Sequence, residues 1–573
     1  MDKRWVVKEK GEASVVKQLG AALGVSESLA NLMVQRNITS PEEARAFFNP
    51  SLDYLHDPFL MKDMNIAVDR ITTAVKKNEK ILVYGDYDVD GTTAVALMYS
   101  FLKDQYSNVD YYIPDRYKEG YGVSFLGLDY AAQNNCKVVI TLDCGIKAVE
   151  KVKYARTKGL DVIICDHHYP GDEIPKALAV LDPKQPSCSY PYKELSGCGV
   201  GFKLIQAYSR VHGIPFSEIY HYLDLVAVSI ASDIVPITGE NRVLAYFGLK
   251  QLNESPRTGL REIIRESEVT KSLTVEDVVF KIGPRINAAG RMEAGSKAVE
   301  LLISSDTRLA TGISKEINNF NIERRTVDRI ITTEAMRMIS EDQRNMNSRT
   351  TVLYNPNWKK GVIGIVASRL IETYYRPTVI LTESNGFATG SARSVQGYDL
   401  YQAIEACSDL LESFGGHMYA AGLTLKKENI KPFMERFEKH VYNTITEEQL
   451  VPRVFIDTEL YFSEINEDFF KTMSLFQPFG PENMSPVFVS RNVFDTGSGR
   501  MVGSNSEHLK LDLCQESSGQ KSFPAIAFNQ ANHFEYIRGG NPFDICYSLE
   551  MNEFRGNKNL QLNIRDIKTP DVI

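Results

Sequence analysis

Three apolar runs in this chain each end in carboxylate or imidazole. Ile81-Leu82-Val83-Tyr84-Gly85 leads into Asp86-Tyr87-Asp88-Val89-Asp90-Gly91, Val138-Val139-Ile140-Thr141-Leu142 into Asp143-Cys144-Gly145, and Val162-Ile163-Ile164-Cys165 into Asp166-His167-His168. Carboxylate oxygens suit hard cations such as Mg²⁺ and Mn²⁺, and imidazole shifts the preference toward Mn²⁺ and other transition metals. This many acids carry more negative charge than one divalent ion neutralises. Two ions, about 3.5–4 Å apart in such sites, relieve the repulsion and clamp the attacking and leaving oxygens of a phosphoryl displacement. A lone Asp after a strand is equally well explained as a helix N-cap. Capping does not explain Asp86, Asp88 and Asp90 alternating before a glycine, together with Asp143, Asp166 and a His pair.

Such residues need a scaffold that gathers strand ends. Short apolar runs bounded by Gly and polar residues read as buried parallel strands, and open parallel sheets bind ligands at the carboxyl edge of their strands. From about Ile81 to Asp182 these runs alternate with helical stretches at 92–103, 126–134 and 146–158, a βαβ pattern. Residues 220–233 form an apolar helix that Pro236 terminates, which places Asp233 at a helix end or in the loop beyond.

With 573 residues the chain exceeds a single core, so two to four domains are expected. Hydrophobic residues at 43% and charged residues at 24% are ordinary globular values. Met1-Asp2-Lys3-Arg4-Trp5 has no apolar segment behind it, and no run approaches the roughly 20 apolar residues that span a bilayer, so neither secretion nor a membrane is expected. Eight scattered cysteines without a zinc-type CxxC pair read as reduced thiols in a cytoplasmic protein. The net charge of −8 does not exclude nucleic acid, because polyanion binding needs a local basic groove rather than a basic total.

The first sixty residues read as short helices, at 26–34 and after Ser40-Pro41-Glu42-Glu43-Ala44. Residues 313–341 lack Pro and Gly and predict a long connector helix. A second α/β unit follows, with strands at Thr351–Tyr354 and 378–381 around a helix at 364–374, and Gly-rich turns at Gly390 and Gly415-Gly416. After about Val451, short alternating segments at 509–513, 543–550 and 560–567 predict a small antiparallel barrel.

Gly85-Asp86-Tyr87-Asp88-Val89-Asp90-Gly91, Asp143, Asp166-His167-His168 and Ser232-Asp233, in this order, resemble the four motifs of the DHH phosphoesterase superfamily. Gly415-Gly416-His417-Met418-Tyr419-Ala420-Ala421-Gly422 resembles the glycine-rich motif of the DHH-associated domain. The stretches Arg116–Gly122 (Arg-Tyr-Lys-Glu-Gly-Tyr-Gly), Pro284-Arg285-Ile286-Asn287-Ala288-Ala289-Gly290-Arg291, Gly390-Ser391-Ala392-Arg393-Ser394 and Pro478-Phe479-Gly480-Pro481-Glu482-Asn483 extend the likeness over nearly the whole chain. Together they resemble the RecJ family of 5′→3′ single-strand DNA exonucleases.

The resemblance implies an α/β fold with five segments. These are an N-terminal helical segment (1–60), a parallel-sheet DHH domain (61–310), a connector helix (311–345), a DHH-associated domain (346–450) and a C-terminal OB-fold-like β-barrel (451–573). It implies that Asp88, Asp90, Asp143, His167 and Asp233, with Asp86 in the same acidic run, hold two Mn²⁺ or Mg²⁺ ions, and that His168 contacts the scissile phosphate. Tyr84 stands four residues before Asp88, where some superfamily members carry a metal-binding His. Arg116 suits a terminal phosphate, because a guanidinium forks onto phosphate oxygens. Arg285, Asn287, Arg291, Ser391, Arg393, Gly415, Gly416 and His417 are the further candidates along a substrate channel. In the barrel, Phe554, Arg555 and Lys558 are candidates for strand binding, and Phe543 is expected in the core. The implied activity is hydrolysis of single-stranded DNA to 5′-mononucleotides in repair and recombination. The alternative is a DHH phosphodiesterase acting on short oligoribonucleotides or cyclic dinucleotides, whose members are usually shorter and lack the terminal barrel. Single-stranded DNA is the expected partner, a helicase and a single-strand-binding protein are candidates, and a monomer is expected.

Overall fold

The computed structural model describes residues 3–292, 294–516, 521–554 and 557–569. Residues 49–325 with 477–484 form one compact unit, and residues 1–48, 326–476 and 485–573 form another.

The first unit is built on five parallel strands: β1 (Lys80–Gly85), β2 (Val109–Tyr112), β3 (Cys136–Leu142), β4 (Asp161–Cys165) and β5 (Ala179–Leu181), in the order β2-β1-β3-β4-β5. Their continuous apolar runs follow from burial on both faces. Ile81, Val83, Val138, Ile140, Ile163 and Cys165 feed one hydrophobic layer, while Leu82, Tyr84, Val139, Val162 and Ile164 feed the opposite one. Helices α1 (Val89–Gln105), α2 (Gly197–His212), α3 (Leu223–Ser232), α4 (Gly239–Glu254) and α5 (Gly283–Met292) belong to the same unit. The expected helix 220–233 is α3 preceded by one 3₁₀ turn, with Asp233 as its C-cap.

The long connector is α6 (Thr307–Glu341), which begins six residues before the predicted start at 313. In the second unit, β6 (Thr351–Tyr354), β7 (Thr378–Ser384), β8 (Phe387–Arg393), β9 (Leu411–His417) and β10 (Ala420–Leu425) form a sheet in the order β9-β10-β8-β7-β6, with α7 (Ile363–Thr373) between its first two strands. Only β6 and β7 run parallel. Here the expected Gly-rich turns are corrected. Gly390 lies inside β8 and Gly415-Gly416 inside β9, and the chain turns at Met418-Tyr419. Gly390 serves packing across the sheet: a Cβ there would sit 2.5 Å from Leu381 Cδ2 and 3.0 Å from Leu423 Cδ2, whereas a Cβ on Gly415 would meet nothing within 4 Å.

The C-terminal strands close into a barrel. Phe488–Asp495 pairs with Phe543–Phe554, then Asn557–Lys568, Ser522–Ala527 and His508–Gln515, which returns to Phe488–Asp495. Phe543 is buried in its core. The all-helical expectation for the first sixty residues is also corrected. Helices Glu27–Val34 and Pro41–Phe48 form, but Arg4–Val7 is a strand, paired in parallel with Arg453–Ile456. The β-branched Val6-Val7 is helical or extended according to its partner, and that partner lies far away in sequence. No helix among the described residues is long and apolar enough to cross a membrane.

Candidate metal centre

Register builds the site. Gly85 pairs with Leu142, Leu142 with Cys165, and Cys165 with Leu181. The next residue on each strand is therefore an acid: Asp86, Asp143, Asp166 and Asp182 stand in a row along the carboxyl edge of adjacent strands. Asp143 N donates to Cys165 O at 2.9 Å and Asp166 N to Leu181 O at 3.0 Å, so the ladder extends one step into the acidic row. Asp143 takes a left-handed φ of 59°, a costly conformation for a residue with a Cβ and one that clusters at functional sites.

The turn after β1 supplies two more acids. Asp88 caps α1, accepting from Gly91 N at 3.0 Å. Asp90, in the first turn of α1, caps a different helix: it accepts from Gly197 N at 2.7 Å and Cys198 N at 2.8 Å at the start of α2, and from Ser229 Oγ at 2.7 Å. Asp86 is fully buried and accepts from Gly122 N at 3.1 Å through Oδ1.

These groups converge on one imidazole. His167 Nε2 lies 3.1 Å from Asp143 Oδ1, 3.5 Å from Asp233 Oδ2 and 3.7 Å from Asp90 Oδ2. Asp143, His167 and His168 form one set of donors close enough to share a cation, and Asp90, His167 and Asp233 form a second. Burial, then the charges of neighbouring acids, holds the Asp86, Asp143 and Asp233 carboxyls well above the usual range and raises Asp88 as well. Burial also lowers His167, which keeps it neutral and fit to ligate. Asp86 Oδ2 and His167 Nδ1 are buried without a hydrogen-bond partner. Mutual repulsion and orphaned donor atoms in a set of oxygens and imidazole are what divalent cations resolve, so the residues fit such ions.

His168 also has partners of its own beside this set. Its Nδ1 lies 2.7 Å from Asp166 Oδ1 and its Nε2 3.1 Å from Tyr121 Oη, which donates to Asp143 O at 3.2 Å. Burial works to lower His168, but the bond and charge of Asp166 outweigh it and push the imidazole up to about 9. Burial works to raise Asp166, and His168 together with the Ile146 amide brings it down to about 2. The protonated form of the ring is thus favoured, with Nδ1 on Asp166 and Nε2 on Tyr121.

Tyr84 is no ligand in this geometry. Its ring is buried, its hydroxyl donates to Gly122 O at 2.9 Å, and it accepts from Ser124 N at 3.1 Å. It braces the loop that carries Arg116 and Tyr121. Arg116 lies over the Tyr87 ring at 4.7 Å, close enough to the acids to lower Asp86 and Asp88 slightly against their burial. Helix α5 approaches the same tyrosine: a Cβ on Gly290 would sit 2.6 Å from Tyr87 O, and Tyr117 Oη donates to Arg291 O at 2.5 Å. Asn287 on this helix keeps Oδ1 buried without a partner. Arg285, by contrast, spends its donors within the protein, on Asn318 Oδ1 at 3.0 Å, Lys281 O at 2.6 Å and Glu266 O at 3.2 Å.

The other candidates lie in the second unit. Arg393 Nη1 donates to Ser391 Oγ at 3.1 Å and to Ala392 O at 2.8 Å, and a Cβ on Gly364, in the first turn of α7, would meet both side chains. Burial lowers the Arg393 guanidinium. Gly415 pairs with Gly422 and Gly416 with Ala421 in the β9–β10 hairpin, where His417 Nδ1 accepts from Tyr419 N at 3.3 Å. In the barrel, Lys558 is exposed, whereas Arg555 and the side chain of Phe554 lie outside the described residues.

Sequence reasoning missed Asp182 and the bracing role of Asp166. Ala179-Val180-Leu181-Asp182 repeats the pattern of an apolar run ending in an acid, and that signal was available. Asp182 is fully buried; burial raises its carboxyl to about 7 against the opposing Lys184 amide.

Comparison with known proteins agrees with this architecture. A model of the DHH family N-terminal domain matches residues 80–230, one of the DHHA1 domain residues 347–443, and one of the RecJ OB domain residues 456–566. The chain is 38% identical over 567 residues to the single-stranded-DNA-specific exonuclease RecJ of Bacillus subtilis, covering 98% of this chain and 70% of that one. The crystal structure of RecJ from Thermus thermophilus in complex with Mn²⁺ superposes with a TM-score of 0.85 at 26% identity, covering 100% of this chain and 80% of that one. Its complex with Mg²⁺ gives a TM-score of 0.78 at 25% identity, covering 99% and 79%.

Proposed function

The chain belongs to the RecJ family of DHH phosphoesterases, and on that premise we propose that it is a metal-dependent exonuclease specific for single-stranded DNA. The observation that carries this reading is the row of acids and imidazoles at the sheet edge, which holds two sets of donors close enough to share a cation. The closed C-terminal barrel, matched by the RecJ OB domain, favours a polynucleotide over short oligoribonucleotides or cyclic dinucleotides.

Asp88, Asp90, Asp143, His167 and Asp233, with Asp86, would hold two Mn²⁺ or Mg²⁺ ions. Such ions neutralise phosphoryl charge and acidify water. Around them, His168 donates to a nonbridging phosphate oxygen, its positive charge maintained by Asp166. Arg116 receives the terminal 5′-phosphate, which gives 5′→3′ polarity. Asn287 and Arg291 line the approach beside Tyr87. Ser391, Arg393, Gly415, Gly416 and His417, in the other unit, would supply contacts to the substrate backbone, and Arg285 supports its helix more than the substrate. The chain would be organised as the five segments from 1–60 to 451–573, with a strand at Arg4–Val7 in the first and with residues 49–60 and 477–484 folding into the unit of the metal centre. The buried free cysteines support a cytoplasmic location, and a monomer working with a helicase and a single-strand-binding protein completes the proposal.

The test uses one labelled single strand blocked at either end, with Mn²⁺ or Mg²⁺. Release of 5′-mononucleotides from the 3′-blocked strand, protection of the 5′-blocked strand and sparing of blunt duplex are expected. Degradation of the 5′-blocked strand would refute the polarity, and no degradation of either would refute the activity.

A further inference from the structure

Residues 477–484 belong to the compact unit of the metal centre, although the chain up to Phe476 and from Ser485 belongs to the other. The segment carries the Pro478–Asn483 motif and closes on itself. Gly480 N donates to Asn483 O at 3.1 Å, Asn483 N to Gly480 O at 2.9 Å, and Asn483 Nδ2 to Pro478 O at 2.9 Å. This strap grips the stretch that leaves Asp233 and enters α4. Ile237 N donates to Pro481 O at 2.8 Å, and Arg242, only 4% exposed, donates through Nη2 to Gln477 O at 2.8 Å. Gly480 approaches so closely that a Cβ there would sit 2.4 Å from Ile237 Cγ1.

Other groups hold the same loop. Tyr192 Oη and Asn241 Nδ2 donate to Pro236 O at 3.3 and 3.0 Å. Between Asp233 and this clamp, Ile234 takes a left-handed φ of 60°. A β-branched residue keeps such a conformation only where its surroundings over-determine it. The strain lies next to the carboxylate that faces His167 at 3.5 Å.

We infer that Gly480, Arg242 and the backbone amide of Ile237 position Asp233: the strap fixes the loop that aims this carboxylate and thereby sets the affinity for a divalent cation. The inference rests on the metal reading above. Groups that orient ligands without touching the metal typically change affinity or activity about 10–100-fold.

The test titrates metal-stripped full-length protein with Mn²⁺, following free ion by electron paramagnetic resonance, beside thermal denaturation. Gly480→Ala should weaken Mn²⁺ binding about tenfold or more. Ile237→Ala removes Cγ1 and leaves Ile237 Cβ 3.5 Å from the new methyl, an ordinary contact, so the G480A/I237A double variant should recover most of the affinity. That recovery separates positioning from a general loss of stability, which two substitutions would deepen. Arg242→Met keeps the bulk while removing the donor to Gln477, and should weaken binding in the same direction if Gly480→Ala does not fold. Wild-type affinity in the single variants, or no recovery in the double, overturns the inference. A wild-type protein that binds no Mn²⁺ overturns the metal reading and this inference with it.

Discussion

Asp166 Oδ1 lies 2.7 Å from His168 Nδ1, and the same oxygen accepts from the backbone amides of His167 at 2.8 Å and His168 at 3.2 Å. One buried carboxylate thus shapes the turn, orients the imidazole and keeps it charged. Its other oxygen accepts from Ile146 N at 2.8 Å, so both carboxylate oxygens are in use.

Asp166→Asn sets an amide NH₂ against one of these donors. Turnover on single-stranded DNA should fall about 10–100-fold, with a lowered thermal midpoint. Steady-state kinetics and calorimetry check this; wild-type turnover would exclude the bracing role.

Gly197 sits against Asp143, where a Cβ would lie 2.6 Å from Asp143 Cβ and 2.8 Å from its Cα. Backbone must yield, so Gly197→Ala should cost about 1–3 kcal/mol and displace Asp143. Denaturant unfolding and Mn²⁺ titration should both report the change, and an unaltered Mn²⁺ isotherm would count against Asp143 as a ligand.

Tyr84→Phe deletes a hydroxyl buried between Gly122 O and Ser124 N. Stability should drop by about 1–3 kcal/mol while the number of Mn²⁺ ions bound stays the same. A lost ion would make Tyr84 a ligand.

Asp182 gives a pH dependence. Its folded carboxyl is raised to about 7 from an ordinary 3.8, so between these values the folded state binds the extra proton, and stability falls as pH rises. Asp182→Asn keeps an acceptor for the Lys184 amide and removes the buried charge. Its stability gain over wild type should grow from pH 4 to about 7, level off above, and reach on the order of 1–3 kcal/mol. Urea unfolding of metal-free protein at pH 4.5 and 8 measures the difference; equal gains at both would show that Asp182 titrates normally.

The sequence by itself determined three of the five strands, their parallel direction and the acids at their ends. Apolar runs such as Val138–Leu142 fit only a sheet buried on both faces, and the residue after each run must then fall on the carboxyl edge. These are local consequences of side-chain type and period, legible without contacts. Tertiary structure alone decided what each polar group would meet. Only folding revealed that Asp90 caps the distant helix at Gly197, that Tyr84 turns toward Ser124, and that Gly390 and Gly415 sit inside strands. The same is true of Arg4–Val7 finding its partner at Arg453–Ile456, and of residues 477–484 closing on the loop after Asp233. In each case the outcome depends on a group far away in sequence, and hydrogen-bond saturation and steric fit are set by that group rather than by the neighbours in the chain.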